Sequence, residues 1–231
     1  MISGKPKTAE EYFSRGVIRY MQGDYDGAIA DYTESIRLKP NNPSALSNRG
    51  NILGLKGEYD KAITDFDEGI RLDPHDATIW YNRGVAWFGK GEYNRSIDDL
   101  TEAVCLNPSH SSAWHNRGLA WTRKNEEDKA IADFDEAIRL EPNNGRVWYC
   151  RAVTWKQKGE HDKAIANYDE AIRLNPNHTD AFVGRGITWG QKGEYDKAIA
   201  DLDEAIRLVP NNQKASECRS LMMERKSKQK D

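Results

Sequence analysis

Long apolar runs are missing from this 231-residue chain. No window approaches the roughly 18 apolar residues of a membrane-spanning helix, and the opening MISGKPKTAE has no apolar stretch to serve as a secretory leader. Cysteine is scarce. Cys105, Cys150 and Cys218 stand far apart with no CxxC pair, which supports neither a disulfide framework nor a zinc site. These absences point to a reducing, cytoplasmic setting with no membrane contact. A basic excess is missing too: 34 Lys and Arg face 37 Asp and Glu, for a formal charge of −3. Nucleic-acid binders usually carry a basic stripe, so no nucleic-acid partner is expected; the one dense basic cluster is Arg219, Arg225, Lys226, Lys228 and Lys230 near the end. There is no GxxxxGK[ST], no GxSxG and no GxGxxG following a strand. The five histidines include no HExxH pair, and zinc needs three or four converging ligands. No catalytic residue, cofactor or metal is expected.

Proline is also sparse, and its placement is the most informative feature present. Six of the eight prolines, Pro40, Pro74, Pro108, Pro142, Pro176 and Pro210, follow one another at a fixed spacing. A fixed period of this size marks an array of one repeated unit, each burying its apolar face on its neighbour. The units are 9–42, 43–76, 77–110, 111–144, 145–178 and 179–212. Residues 1–8 are expected to be a flexible start, 213–226 a capping helix and 227–231 a basic flexible tail.

Each unit reads as two helices. The first carries large, small and large residues at i, i+4 and i+7, as in Trp80, Gly84 and Trp87, which form one helical stripe. Gly23, Gly57, Gly91, Gly159 and Gly193, with Asn125 in the fourth unit, end it. Asp26, Asp60, Asn94, Asp128, Asp162 and Asp196 are expected to cap the second helix, which stops at Leu-x-Pro because the residue before proline is pushed out of helical geometry. The small residues Gly16, Gly50, Gly84, Gly118, Ala152 and Gly186 are expected to face small residues of the second helix, such as Ala28 and Ala62. All seven tryptophans fall on the stripe and are expected in the interhelical core; a platform for stacking bases or sugars is the other reading.

Charges repeat as well. Asp67/Arg71, Asp135/Arg139, Asp169/Arg173 and Asp203/Arg207 are spaced as i, i+4 pairs. Arg15, Arg49, Arg83, Arg117, Arg151 and Arg185 each precede the small residue, at the edge of the buried stripe. The second helices offer Asp31, Asp65, Asp99, Asp133, Asn167 and Asp201 as structural partners. The alternative is that these arginines reach water and serve a ligand.

The pattern W-x(3)-G-x(2)-W…G-x-Y…A-x(3)-F-x(2)-A-x(4)-P over residues 9 to 212 resembles the tetratricopeptide repeat. That resemblance implies an all-α solenoid, a right-handed superhelix of antiparallel helix pairs whose first helices line a concave face and hold a protein or peptide. Mapped onto this chain, the implied partner-binding face is Phe13, Val17, Tyr20, Asn48, Tyr81, Asn82, Val85, Phe88, His115, Asn116, Leu119, Arg123, Arg146, Tyr149 and Lys156. Asn48, Asn82 and Asn116 recur once per unit. They are similar to the asparagine ladder in the tetratricopeptide arm of O-GlcNAc transferase, which grips peptide backbone; solvated asparagines are the plainer reading. The subtype that clamps a C-terminal carboxylate fits poorly, because only Asn48 of its residues is present in register. The expected function is a non-catalytic scaffold or adaptor for an unidentified protein or peptide partner. A self-associating module forming homo-oligomers, and a regulatory arm for a separate enzyme, are the alternatives.

Overall fold

The computed structural model describes residues 6–229. Thirteen helices and no strand lie among them: α1 Ala9–Met21, α2 Tyr25–Leu38, α3 Pro43–Leu55, α4 Tyr59–Leu72, α5 Ala77–Gly89, α6 Tyr93–Leu106, α7 Ser111–Arg123, α8 Glu127–Leu140, α9 Gly145–Gln157, α10 His161–Leu174, α11 Thr179–Gln191, α12 Tyr195–Leu208 and α13 Gln213–Lys228. They fit six tandem repeats and a final helix. The chain divides into two compact units, residues 1–120 and 121–231, with the division inside α7.

The turn inside each repeat is set by one residue in left-handed backbone. Gly23, Gly57, Gly91, Gly159 and Gly193 have φ between +78° and +82°, and Asn125 stands at +56°. Glycine adopts this conformation without steric cost and asparagine with little, so the first helix stops there and the chain doubles back. The expected N-caps are displaced by two residues: Asp24, Glu58, Glu92, Glu126, Glu160 and Glu194 hold that place, and only the Asp24 carboxylate accepts a capping bond, from Gly27 N–H. Asp26 and its equivalents sit in the first turn instead. Asp26, Asp60, Asp128 and Asp162 there accept the ammonium of Lys56, Lys90, Lys158 and Lys192 at the C-caps of the following first helices, and Asp196 that of Lys226 in α13.

In the first unit the core runs between successive hairpins. Leu53, Ala62, Phe66 and Ile79 form its centre, with Ala28, Tyr32 and Ile52 before them and Leu100, Val104 and Ala113 after. The second unit repeats the scheme with Ala152, Ala164, Tyr168 and Ala181, then Phe182, Leu202, Ala215 and Met222. The small residues of the first helices do not chiefly meet small residues. A Cβ on Gly16 would lie 2.8 Å from the Tyr32 ring, one on Gly50 2.7 Å from Phe66 and one on Gly84 2.8 Å from Leu100. Each glycine admits the bulky residue sixteen positions on.

The final helix runs to Lys228, two residues beyond its expected end. It buries Met222, whose sulfur fills the space where a Cβ on Gly190 would lie, and leaves Met223 exposed. At the start, Thr8 and Glu11 form a capping box, and the Glu11 carboxylate also accepts Lys7 N–H at 2.7 Å, which ties residues 7 and 8 to the first turn of α1. The other residues expected to be flexible, 1–5 and 230–231, lie outside the described residues.

Candidate functional site

Which side chains are free to meet a partner depends on which are already committed. The arginine edge is committed. Arg15 donates Nε and Nη2 to Asp31 at 2.8 and 2.5 Å. Arg49 does the same to Asp65 at 2.8 and 2.6 Å, Arg83 to Asp99 at 2.7 and 2.8 Å, and Arg185 to Asp201 at 2.8 and 2.6 Å. Arg151 donates to Asn167 Oδ1 at 2.7 Å. These are expected structural rungs, bidentate at Arg15, Arg49, Arg83 and Arg185. A third nitrogen reaches the preceding repeat: Arg83 to Asp67 at 2.6 Å, Arg151 to Asp135, Arg185 to Asp169, Arg49 to Thr33 Oγ1 at 3.0 Å and Arg117 to Thr101 Oγ1 at 3.1 Å. Asp67, Asp135, Asp169 and Asp203 are therefore inter-repeat residues and do not form the expected i, i+4 pairs. Arg71, Arg139, Arg173 and Arg207 pair with Glu68, Glu136, Glu170 and Glu204.

The tryptophans are committed too, though not as a dry core. All seven are half-buried. Trp80, Trp114 and Trp148 donate Nε1–H to the carbonyls of Pro74, Pro108 and Pro142 at 2.9 Å, and Arg83, Arg117 and Arg151 lie 4.6–4.8 Å over their rings. Trp121, Trp155 and Trp189 each carry two lysines, such as Lys158 and Lys163 over Trp155. Cations are drawn to the negative ring face, so each indole packs inward on one side and is covered on the other. Trp80, Trp87, Trp114, Trp148, Trp155 and Trp189 pack against the interhelical core, as expected, but only partly buried, and the cations leave little open ring for stacking.

The first-helix face of the first unit differs. A cavity of about 600 Å³ is lined by Tyr20 of α1, Gly50, Asn51, Gly54 and Leu55 of α3, Tyr59 and Phe66 of α4, and Tyr81, Asn82, Val85, Ala86, Phe88 and Gly89 of α5. No charged side chain lines it. Gly89 makes room for the Tyr59 ring, since a Cβ there would lie 2.5 Å from it, and around Gly54 the space is open. Tyr20 is 43% exposed and Leu55 65%, so the walls hold apolar surface at the rim. The Asn82 Nδ2 donor is buried with no acceptor in the protein. A second groove of about 500 Å³ in this unit holds Asp26, Arg49, Lys56, Glu58, Lys61 and Asp65, but those charges satisfy one another as Arg49–Asp65, Lys56–Asp26 and Lys61–Glu58.

The second unit has a polar cavity of about 720 Å³, lined by Arg146, Tyr149, Cys150, His178 and Asp180 among others. Tyr149 stacks on His178 with ring centres 4.8 Å apart. Burial pushes the Cys150 thiol up to about 11, so it stays protonated near neutral pH. Lys156 is held below the usual ammonium range by burial and by Lys214 nearby.

Five of the residues expected on the binding face, Tyr20, Tyr81, Asn82, Val85 and Phe88, therefore surround one cavity, and Arg146 and Tyr149 another. Phe13 and Val17 pack against Ala28, Tyr32 and Ile52. Asn48 donates to Tyr32 Oη at 3.4 Å, and Asn116 to Tyr81 Oη at 3.3 Å and the Ser112 carbonyl at 2.8 Å. Those two asparagines serve the fold. His115 is 7% exposed, whereas the equivalent Tyr81 and Tyr149 are half-buried. Leu119 is half-buried, Arg123 exposed and Lys156 half-buried away from both cavities. The sequence reading missed Asn51, Leu55 and Tyr59. The glycines Gly54 and Gly89, which stand where Tyr20 has bulk or beside it, were the available signal that space opens there. No group of residues among those described could hold a metal ion, and no described helix is long and apolar enough to cross a membrane.

Comparison with known proteins agrees with this architecture. The family profile described as TPR repeat matches residues 16–57 and 50–91; profiles described as Tetratricopeptide repeat match 111–144, 145–178 and 181–212. A profile for the Protein prenyltransferase alpha subunit repeat matches 93–123. No curated protein sequence is significantly similar. Among solved structures, pilF of Pseudomonas aeruginosa superimposes with a TM-score of 0.78 at 18% identity, covering 92% of this chain and 96% of that one. YrrB, described as a TPR protein with an unusual peptide-binding site, gives 0.69 at 22% identity, covering 82% and 97%. MamA gives 0.66 at 28% identity, covering 70% and 94%. With successive profile matches along the chain and paired helices folded like these proteins, the chain belongs to the tetratricopeptide repeat family.

Proposed function

We propose that the chain is a non-catalytic scaffold that holds an extended peptide segment or a helix of a partner protein on its first-helix face, with the cavity of the first unit as the main seat. The observation that carries this is the contrast in commitment: the rung arginines, the inter-repeat lysines and the indoles are paired within the fold, while Tyr20, Leu55, Tyr81, Val85 and Phe88 present apolar surface around an uncharged cavity. Apolar surface of this kind on a charged protein usually marks an interaction site, and its volume lies within the range of ordinary ligand pockets, about 300–1,000 Å³. The peptide-binding site named for YrrB supports a peptide as the occupant. The Arg146–Tyr149 cavity of the second unit is proposed as a separate contact, able to meet polar or acidic groups of a partner.

The test is selection of peptides from a random displayed library on the wild-type chain, followed by calorimetry of the enriched peptides against a Tyr81→Ala/Phe88→Ala variant of unchanged helicity. Loss of binding is expected. Undiminished affinity would move the partner surface off this face.

A further inference from the structure

Four repeats fill one place with an indole beneath two cations, and the second repeat leaves that place open. Trp87 of the third repeat lies under Lys90 at 5.5 Å and Arg95 at 4.6 Å. The fourth, fifth and sixth repeats set Trp121, Trp155 and Trp189 under two lysines each, at 4.4–5.8 Å. In the second repeat both cations are present, as Lys56 and Lys61, but Leu53 stands at the tryptophan position. Leucine is shorter and has no ring. Leu53 stays at the bottom, 6% exposed, and a groove of about 500 Å³ opens there, lined also by Ile29, Thr33, Thr64 and the two lysines. The groove lies among α2, α3 and α4 and shares no residue with the Tyr81–Phe88 cavity. Its ion pairs do not close it. Lys56 pairs with Asp26 and Lys61 with Glu58. Lys158 and Lys163 pair in the same way with Asp128 and Glu160, and still cover the Trp155 ring.

We propose that this groove is a second binding site, for a tryptophan side chain of a partner protein: the indole rests on Leu53 and Ile29, with Lys56 and Lys61 over its outer face. Charge complementarity selects the occupant. An ammonium is drawn to the negative face of an aromatic ring, most strongly that of tryptophan, and an aliphatic group gains nothing from it. The other repeats show that two cations in this register cover an indole while keeping their own carboxylates. A second copy of the chain does not supply the ring, because its seven indoles are bonded to carbonyls or covered by cations in place. The site is independent of the Tyr81–Phe88 cavity, so the failure of either leaves the other standing.

The full chain, carbon-13-labelled at its isoleucine, leucine and valine methyl groups, is titrated with N-acetyl-tryptophanamide, whose ring current moves the methyls it touches. The Leu53 and Ile29 methyls of the wild type are expected to shift, and N-acetyl-leucinamide at the same concentration is expected not to compete. Leu53→Trp fills the seat with the chain's own indole, which the fold already accepts at this place in four repeats. It is expected to abolish the titration shift at Ile29. Lys56→Gln/Lys61→Gln keeps the groove and removes both cations. It is expected to weaken the blocked tryptophan about fivefold, the size of two exposed cation–ring contacts. Still Leu53 and Ile29 methyls in the wild type, an unchanged affinity in Lys56→Gln/Lys61→Gln, a persisting Ile29 shift in Leu53→Trp, or equal competition by the blocked leucine overturns the site. Movement of the Val85 methyls in place of Ile29 puts the ring in the Tyr81–Phe88 cavity and overturns it too. Free indole moving Leu53 and Ile29 where the blocked tryptophan does not would overturn the assignment to a partner's side chain.

Discussion

Tyr32 in the first repeat and Tyr168 in the fifth occupy the same place and are seated in opposite ways. Tyr32 leans on Gly16, where a Cβ would lie 2.8 Å from its ring, and its hydroxyl accepts the Asn48 amide. In the fifth repeat Ala152 replaces that glycine, and the ring leans on Gly184, the equivalent of Asn48 in the helix that follows. Room for the ring has moved from one neighbour to the other, and the hydroxyl has lost its partner on the way: Tyr168 Oη is buried without one. Burial raises both phenols, but only in Tyr32 does a hydrogen bond work against the rise. The charged edge differs in parallel, with Arg15 held by the Asp31 carboxylate and Arg151 by the Asn167 amide. At the ring seat the glycine and the residue opposite it have changed together, whereas at the charged edge only the acceptor has changed.

The charged rung offers the largest expected break in that comparison. Asp31 is 2% exposed and accepts both Arg15 and, at 3.3 Å, Arg19. Asp31→Ala should cost about 3 kcal/mol, the lower end of the range for unpairing a buried ion because the guanidiniums keep some contact with water. Asp31→Asn should cost markedly less, since Asn167 already holds Arg151 in the fifth repeat. Thermal unfolding followed by circular dichroism measures both, and equal losses would mean that charge rather than geometry holds the rung.

Exchanging the ring seats comes next. Gly184→Asn places a Cβ 2.6 Å from the Tyr168 ring and, with Ala152 blocking retreat, should cost about 2 kcal/mol as overpacked cores do. Adding Ala152→Gly should recover most of it by recreating the first-repeat arrangement. A double variant no more stable than the single one would show that the two seats are not coupled.

Trp148 and Tyr12 hold equivalent stripe positions under Arg151 and Arg15. A fully buried tryptophan loses about 3–5 kcal/mol on truncation to alanine; half-buried Trp148 should lose roughly half of that, about 2 kcal/mol. Tyr12→Ala should lose less again, because no indole bond to a proline carbonyl goes with it.

The smallest effect is chemical. Cys150 in the fifth repeat is the equivalent of Asn48 in the second, and burial pushes its thiol up to about 11. Iodoacetamide at mildly alkaline pH should modify exposed Cys105 well before Cys150, read by peptide mass spectrometry. Equal rates would mean the second-unit cavity opens more than its geometry suggests.

Much of this architecture was legible from residue types alone. The proline period, the glycines at positive φ and the Arg15-type rungs are local or strictly periodic, so one repeat explains all. What escaped reading depends on neighbours in space. Asp67 lies four residues from Arg71 but pairs with Arg83, because the bidentate Arg83–Asp99 bond aims the third nitrogen at the preceding repeat. Asp26 looked like a cap because its type and place suit one, yet the chain enters the helix two residues earlier. The candidate site was half legible: the aromatic residues were visible, but Tyr59 belongs to a second helix and reaches the cavity only because Gly89 lacks a side chain. Asn82 lacks the acceptor that Asn48 and Asn116 each find, so a row of identical asparagines hides one unlike its fellows.

The central claim is that the open surface is the cavity around Tyr81 and Phe88 while the cation-covered indoles are closed. Nitrogen-15 shift mapping with a library-selected peptide tests it in one experiment. Shifts are expected at Tyr20, Leu55, Tyr81, Asn82 and Phe88, with the indole N–H resonances of Trp80, Trp114 and Trp148 still bonded to their proline carbonyls and unmoved. Large movement of those indole resonances, with Tyr81 and Phe88 unchanged, would contradict it.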